Sequence, residues 1–206
     1  MGHILGDPDL GVQGSTTNSS TIIPGELSQN MMDEKRVDAA SVVINQAGLW
    51  VTGGRNFKDE KNSTEIFFLD RPPIRGPDLP RGLFGHSMVQ INPNTIYIIG
   101  GKFGRNQQDF SPFTWIVNNP IISNNINVEF EEGPSLIIPR KEHACAKMEI
   151  NGEVFIVVAG GITNCIDDEE YYGPRSVEIL NFSSPFGQWE RGTKKLHWFL
   201  NFFSFL

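Results

Sequence analysis

The residues of this chain with chemistry to offer are four histidines, two cysteines, one run of carboxylates and a set of arginines beside glycines. His143 and Cys145 are two positions apart, so on a strand they share a face and could offer two ligands to a metal. Zinc needs three or four ligands, so no metal site is expected. Cys145 and Cys165 are too few for a disulfide framework. Idle thiols are the plain reading and a single bridge the alternative. The run Asp167-Asp168-Glu169-Glu170 reads first as a solvated loop. The sharper readings are a contact patch for a basic partner or a weak Ca²⁺ site. Tyr171 and Tyr172 follow it directly and favour contact, because tyrosine is enriched at interfaces. There is no Gly-x-Ser-x-Gly elbow and no phosphate-binding loop. No catalytic residue and no cofactor is therefore expected, and the chain is not read as an enzyme.

The elements that would hold these residues are those of a folded chain. Of its 206 residues, 39% are hydrophobic and 20% charged, proportions of a globular protein. The formal net charge is −7 and no Lys/Arg cluster marks a nucleic-acid face, so no nucleic-acid partner is expected. The first residues lack a basic stretch followed by an apolar one. No signal peptide is read, and a cytoplasmic location is favoured over secretion. The most apolar segment, His197–Leu206, is about half of what a membrane span needs.

Internal repetition decides the fold class. Three Gly-Gly pairs, Gly53-Gly54, Gly100-Gly101 and Gly160-Gly161, each close an apolar, β-prone run. Their first glycines are 47 and 60 residues apart. Upstream of each pair lies a small-residue strand (Ala40–Val43, His86–Val89, His143–Ala146), with Arg36, Arg81 and Arg140 before it. Turn residues sit between, among them Asn151-Gly152, a strong hairpin dipeptide. Third strands follow at Ser63–Phe67, Thr114–Val117 and Ser176–Leu180, and fourth strands at Gly76–Pro80, Phe130–Leu136 and Trp189–Gly192. Nothing has helical period over a useful length. His86 and His143 hold equivalent places in two repeats. That favours a structural role, since an active site is normally unique.

The arginine, the His-Ser pair, the aromatic before Gly-Gly (Trp50, Tyr97), the Ser-x-Glu strand and the late Trp189 together resemble the kelch repeat, whose period is roughly 50 residues. The resemblance spans Arg36 to Gly192. It departs from the pattern in the middle unit, which lacks Ser-x-Glu. It also departs at Pro73, which stands where Trp189 does, and at Val157, which stands where Trp50 and Tyr97 do. The resemblance implies an all-β fold, a kelch-type β-propeller of about three four-stranded antiparallel blades that do not close a ring. The expected organisation is a disordered segment over 1–20, a remnant of a preceding blade over 21–35, blades over 36–80, 81–139 and 140–193, and an off-pattern aromatic tail over 194–206. The Gly pairs, Trp50, Tyr97 and Trp189 are the expected structural residues.

In function the resemblance implies binding of another protein or peptide through loops on one face, as a substrate adaptor or scaffold. It implies Arg55 and Arg105, and after them Arg81 and Arg140, as residues lining that face. Arginine suits the fork geometry of carboxylates. For Arg36, Arg81 and Arg140 the plainer reading is that they hold blade ends together. Two alternatives remain: a fragment of a kelch-like oxidase or isomerase, and a truncated propeller without function. Open blade faces are expected to drive self-association.

Overall fold

The computed structural model describes residues 31–44, 48–69, 71–106, 109–118, 128–164, 176–184 and 187–192. The expected N-terminal segment over 1–20, most of 21–35, and the tail over 194–206 lie outside them. The described residues form twelve strands and no helix. Consequently no described helix is long and apolar enough to cross a membrane.

The strands make three four-stranded antiparallel sheets, each a simple meander. Sheet 1 holds β1 (Ala40–Ile44), β2 (Gly48–Thr52), β3 (Thr64–Phe68) and β4 (Ile74–Arg75). Sheet 2 holds β5 (Ser87–Asn92), β6 (Thr95–Ile99), β7 (Thr114–Asn118) and β8 (Phe130–Glu132). Sheet 3 holds β9 (Ala144–Ile150), β10 (Glu153–Ala159), β11 (Val177–Asn181) and β12 (Trp189–Arg191). The strand order expected from the sequence is the order found. The first sheet differs in detail: its last strand is Ile74–Arg75, ahead of the expected Gly76–Pro80. Pro77 has no N–H for a ladder, and the Gly76 N–H makes the closing bond, to the Thr64 carbonyl at 2.9 Å.

Sequence periodicity follows burial. In β6, Thr95-Ile96-Tyr97-Ile98-Ile99 is buried throughout, because sheet 2 is covered on both faces and an unbroken apolar run suits that setting. Neighbouring sheets approach at their first strands, β1 to β5 and β5 to β9. Two cores fill the spaces between them. Ile44, Trp50 and Ile66 of sheet 1 meet Ile96, Ile98 and Trp115 of sheet 2. Tyr97 and Ile99 of sheet 2 meet Ile156, Val158, Leu180 and Trp189 of sheet 3. Each such side chain contributes about 1.5–3 kcal/mol by leaving water.

The first two glycine pairs sit where sheets touch. Gly53 and Gly100 have φ of 58° and 64°, a region that penalises any Cβ. A Cβ on Gly53 would lie 2.3 Å from the Leu83 carbonyl oxygen, and one on Gly100 2.6 Å from that of Arg140. The second glycine of each of these two pairs bonds the same carbonyl, Gly54 N–H to Leu83 and Gly101 N–H to Arg140, both at 2.8 Å.

That register places Arg36, Leu83 and Arg140 in equivalent positions. The sequence phase, which aligned Arg81 with the other two, is two residues out in the middle unit. Arg36 donates to the carbonyls of Gly53 and Ser63 and to the Glu65 carboxylate. Arg140 repeats this with Gly160, Ser176 and Glu178. Sheet 2 replaces the whole triplet by Leu83, Phe113 and Trp115, with Leu83 fully buried. The missing Ser-x-Glu of the middle unit and its displaced arginine are thus one change: a buried charge pair exchanged for apolar packing.

Candidate functional site

Beyond each Gly pair the chain makes a last antiparallel bridge to the segment entering the first strand: Arg55 to Val37, Lys102 to Phe84, and Ile162 to Lys141. These bridges stand at one end of the sheets, level with the loops that follow the Gly pairs. Between the loops of sheets 1 and 2 opens a cavity of about 870 Å³, walled by residues from 35–37, 55–60, Phe84 and 102–105.

Its walls are basic. Lys35, Arg55, Lys58, Lys102 and Arg105 face Asp59 and Glu60; Arg36 also touches it but is engaged by Glu65. Arg55 donates to Asp38 at 2.7 Å and lies over the Phe84 ring at 4.6 Å. Lys141 approaches the same ring from sheet 3, at 5.6 Å. Lys102 lies 5.2 Å from the Phe110 ring. Partial burial holds the Lys102 ammonium below its ordinary pKa, and the neighbouring charges of Lys141 and Arg55 add to this. Asp109 and Glu60 oppose that shift and Asp38 pairs with Arg55, yet Lys35, Arg55, Lys58, Lys102 and Arg105 still outnumber Asp38, Asp59, Glu60 and Asp109, which leaves a mildly positive mouth on a protein whose net charge is −7. Arg105 ties the two loops together by donating to the carbonyl of Lys58. The Asn56 side chain caps the same loop, accepting from the N–H groups of Lys58 and Asp59 at 2.8 Å each. At the rim, Phe57 is fully exposed.

The arginines named from the sequence part company here. Arg55 and Arg105 line the cavity. Arg81 is exposed and stacks over Phe103 at 4.7 Å and Phe113 at 5.3 Å, outside it. Arg140 has no exposed surface and its guanidinium is occupied inside sheet 3. Tyr171, Tyr172 and the carboxylate run before them lie outside the described residues, as does Cys165. Phe84, Lys58, Lys35 and Lys141 were not singled out from the sequence. For Phe84 and Lys141 the signal is the position one residue after Leu83 and Arg140, readable only once Leu83 is known to hold the arginine place; Lys35 and Lys58 carry no such signal.

His86 and His143 lie between sheets rather than at the cavity. His86 Nε2 meets Thr52 Oγ1 at 2.7 Å and His143 Nε2 meets Ser87 Oγ at 2.8 Å. Burial pushes their pKa values down to about 3 and about 4, so both rings are neutral near pH 7. Burial pushes the Cys145 thiol up to about 11, which leaves it protonated and a poor nucleophile. Among the described residues, no three His, Cys, Asp or Glu side chains converge to hold a metal. No protein-family model matches this chain, and no curated protein matches it.

Proposed function

We propose that this chain is a stretch of kelch-type β-propeller that binds another protein, and that it takes an acidic segment of that partner at the cavity between the loops of sheets 1 and 2. The observation that carries this is the basic wall of Arg55, Lys58, Lys102 and Arg105 beside the exposed Phe57 ring. Guanidinium and ammonium groups attract carboxylates over a range set by salt. An exposed phenyl ring offers apolar contact and fits a partner whose acidic residues flank an apolar one. Rigid sheets presenting variable loops at one end suit recognition. Three four-stranded meanders, each with a Gly pair closing its second strand, support the kelch reading. The half-buried, protonated thiol of Cys145 and the neutral, sheet-bridging histidines favour binding over catalysis.

The test is selection of random peptides displayed on phage against the purified chain. Enrichment of Asp/Glu-rich peptides, abolished by Arg55→Glu with Lys102→Glu and weakened by added salt, is the expected result. Enrichment of basic or neutral peptides, or binding indifferent to the two substitutions, overturns it.

A further inference from the structure

Sheets 1 and 2 meet as sheets 2 and 3 do, and the outer faces of sheets 1 and 3 carry the groups that such a junction uses. At both internal junctions one backbone bond runs from the second glycine to the following sheet, Gly54 N–H to Leu83 and Gly101 N–H to Arg140. A second runs back, Gly85 N–H to the Asp38 carbonyl at 2.8 Å and Glu142 N–H to the Gly85 carbonyl at 2.6 Å. The next junction in the series would use Gly161 N–H and the Glu142 carbonyl on sheet 3. It would use the Arg36 carbonyl and Asp38 N–H on the sheet receiving them. Among the described residues all four of these groups lack a backbone partner.

The surfaces correspond as well. On the side facing the previous sheet, Ile96 and Ile156 are fully buried, whereas their counterpart Leu49 is 40% exposed and its cross-strand neighbour Val43 56%. On the side facing the next sheet, Trp50 and Tyr97 are buried, whereas their counterpart Val157 is only half-buried and Ala146, paired with it, is exposed. Gly160 is the sharpest mark. Its φ of 67° matches Gly53 and Gly100, yet a Cβ there would meet nothing within 4 Å. It has the geometry of a close approach with no chain approaching.

We propose that sheet 3 of one copy receives sheet 1 of a second copy, and that two such head-to-tail junctions close a dimer. The donor, the acceptor and the apolar faces that complete each other are all carried by this one chain. Two copies give six sheets, within the roughly four to eight that radial arrays of four-stranded sheets use. A head-to-tail contact has to close in this way or it would grow into a filament. The junction borders the cavity at Arg36 and Asp38 but uses neither Arg55, Lys58, Lys102 nor Arg105, so its failure would leave the binding reading intact.

Sedimentation velocity on the full chain, with circular dichroism as a check on folding, tests this. The wild type is expected to sediment at twice the 23.0 kDa of one chain. Leu49→Asp and Ala146→Asp, each at an exposed position on one half, are expected to yield folded monomers. Mixing the two variants should restore a dimer, weaker than the wild type, through one intact junction in which sheet 3 of the Leu49→Asp copy receives sheet 1 of the Ala146→Asp copy. A monomeric wild type, aggregates of undefined size, a dimer surviving both substitutions, or a mixture that stays monomeric overturns the proposal.

Discussion

The guanidinium of Arg140 and the carboxylate of Glu178 meet at 2.7 Å with neither side chain exposed. Glu178 also accepts the N–H groups of Ile137 and Ile138, so the pair ties the segment entering sheet 3 to its third strand. Removing one partner leaves a buried charge. We expect Glu178→Ala to cost about 3–5 kcal/mol. Sheet 2 shows an apolar solution to the same position. Arg140→Leu, Ser176→Phe and Glu178→Trp together should therefore be markedly more stable than Glu178→Ala alone. Urea denaturation of the two variants decides it, and equal loss would mean that the apolar triplet needs the surroundings of sheet 2.

Gly100 and Gly160 share a left-handed backbone but not a neighbour. Alanine at either suffers the same backbone penalty, while at Gly100 it also meets the Arg140 carbonyl and the His143 ring. Gly100→Ala should thus lose about 1–3 kcal/mol more than Gly160→Ala. The comparison belongs in the Leu49→Asp background, where no second copy approaches Gly160. Matching melting temperatures there would remove the close-approach role of the pair.

His86 and His143 are held neutral in the folded chain, with pKa values of about 3 and about 4 against 6.5 for a free imidazole side chain. Below pH 6.5 the unfolded chain takes up protons that the folded chain does not, so acid favours unfolding. Their contribution is fully present above about pH 6.5 and is lost as the pH falls toward the folded values. Stability measured from pH 7 to pH 4 should decline, and His86→Gln with His143→Gln should flatten that decline. An unchanged slope in the double variant would assign the acid sensitivity to other groups.

Arg105 reaches from the loop of sheet 2 to the Lys58 carbonyl on the loop of sheet 1. Arg105→Ala should speed amide hydrogen exchange in 57–60 while leaving the β2 amides protected. Exchange rates that do not change would mean the Asn56 turn holds the loop without help.

The sequence alone carried the strand order, the position of the Gly pairs and the meander within each sheet. These depend on local patterns: apolar runs ended by glycine, and turn dipeptides such as Asn151-Gly152, where both residues have positive φ. It also marked Arg55 and Arg105 by their place after those glycines. It misread the middle unit because Leu83, Phe113 and Trp115 do the work of Arg36, Ser63 and Glu65 with none of the same chemistry. Only the backbone register, with Gly54 bonded to Leu83 as Gly101 is to Arg140, shows that they are equivalent. The basic cavity was likewise decided by tertiary structure. Its walls come from four separated stretches of chain, and whether an arginine ends inside a sheet, as Arg140 does, or at its mouth, as Arg55 does, depends on which carboxylates and carbonyls folding brings within reach. A buried guanidinium must find all its acceptors there, whereas one at the mouth keeps water and a partner as alternatives.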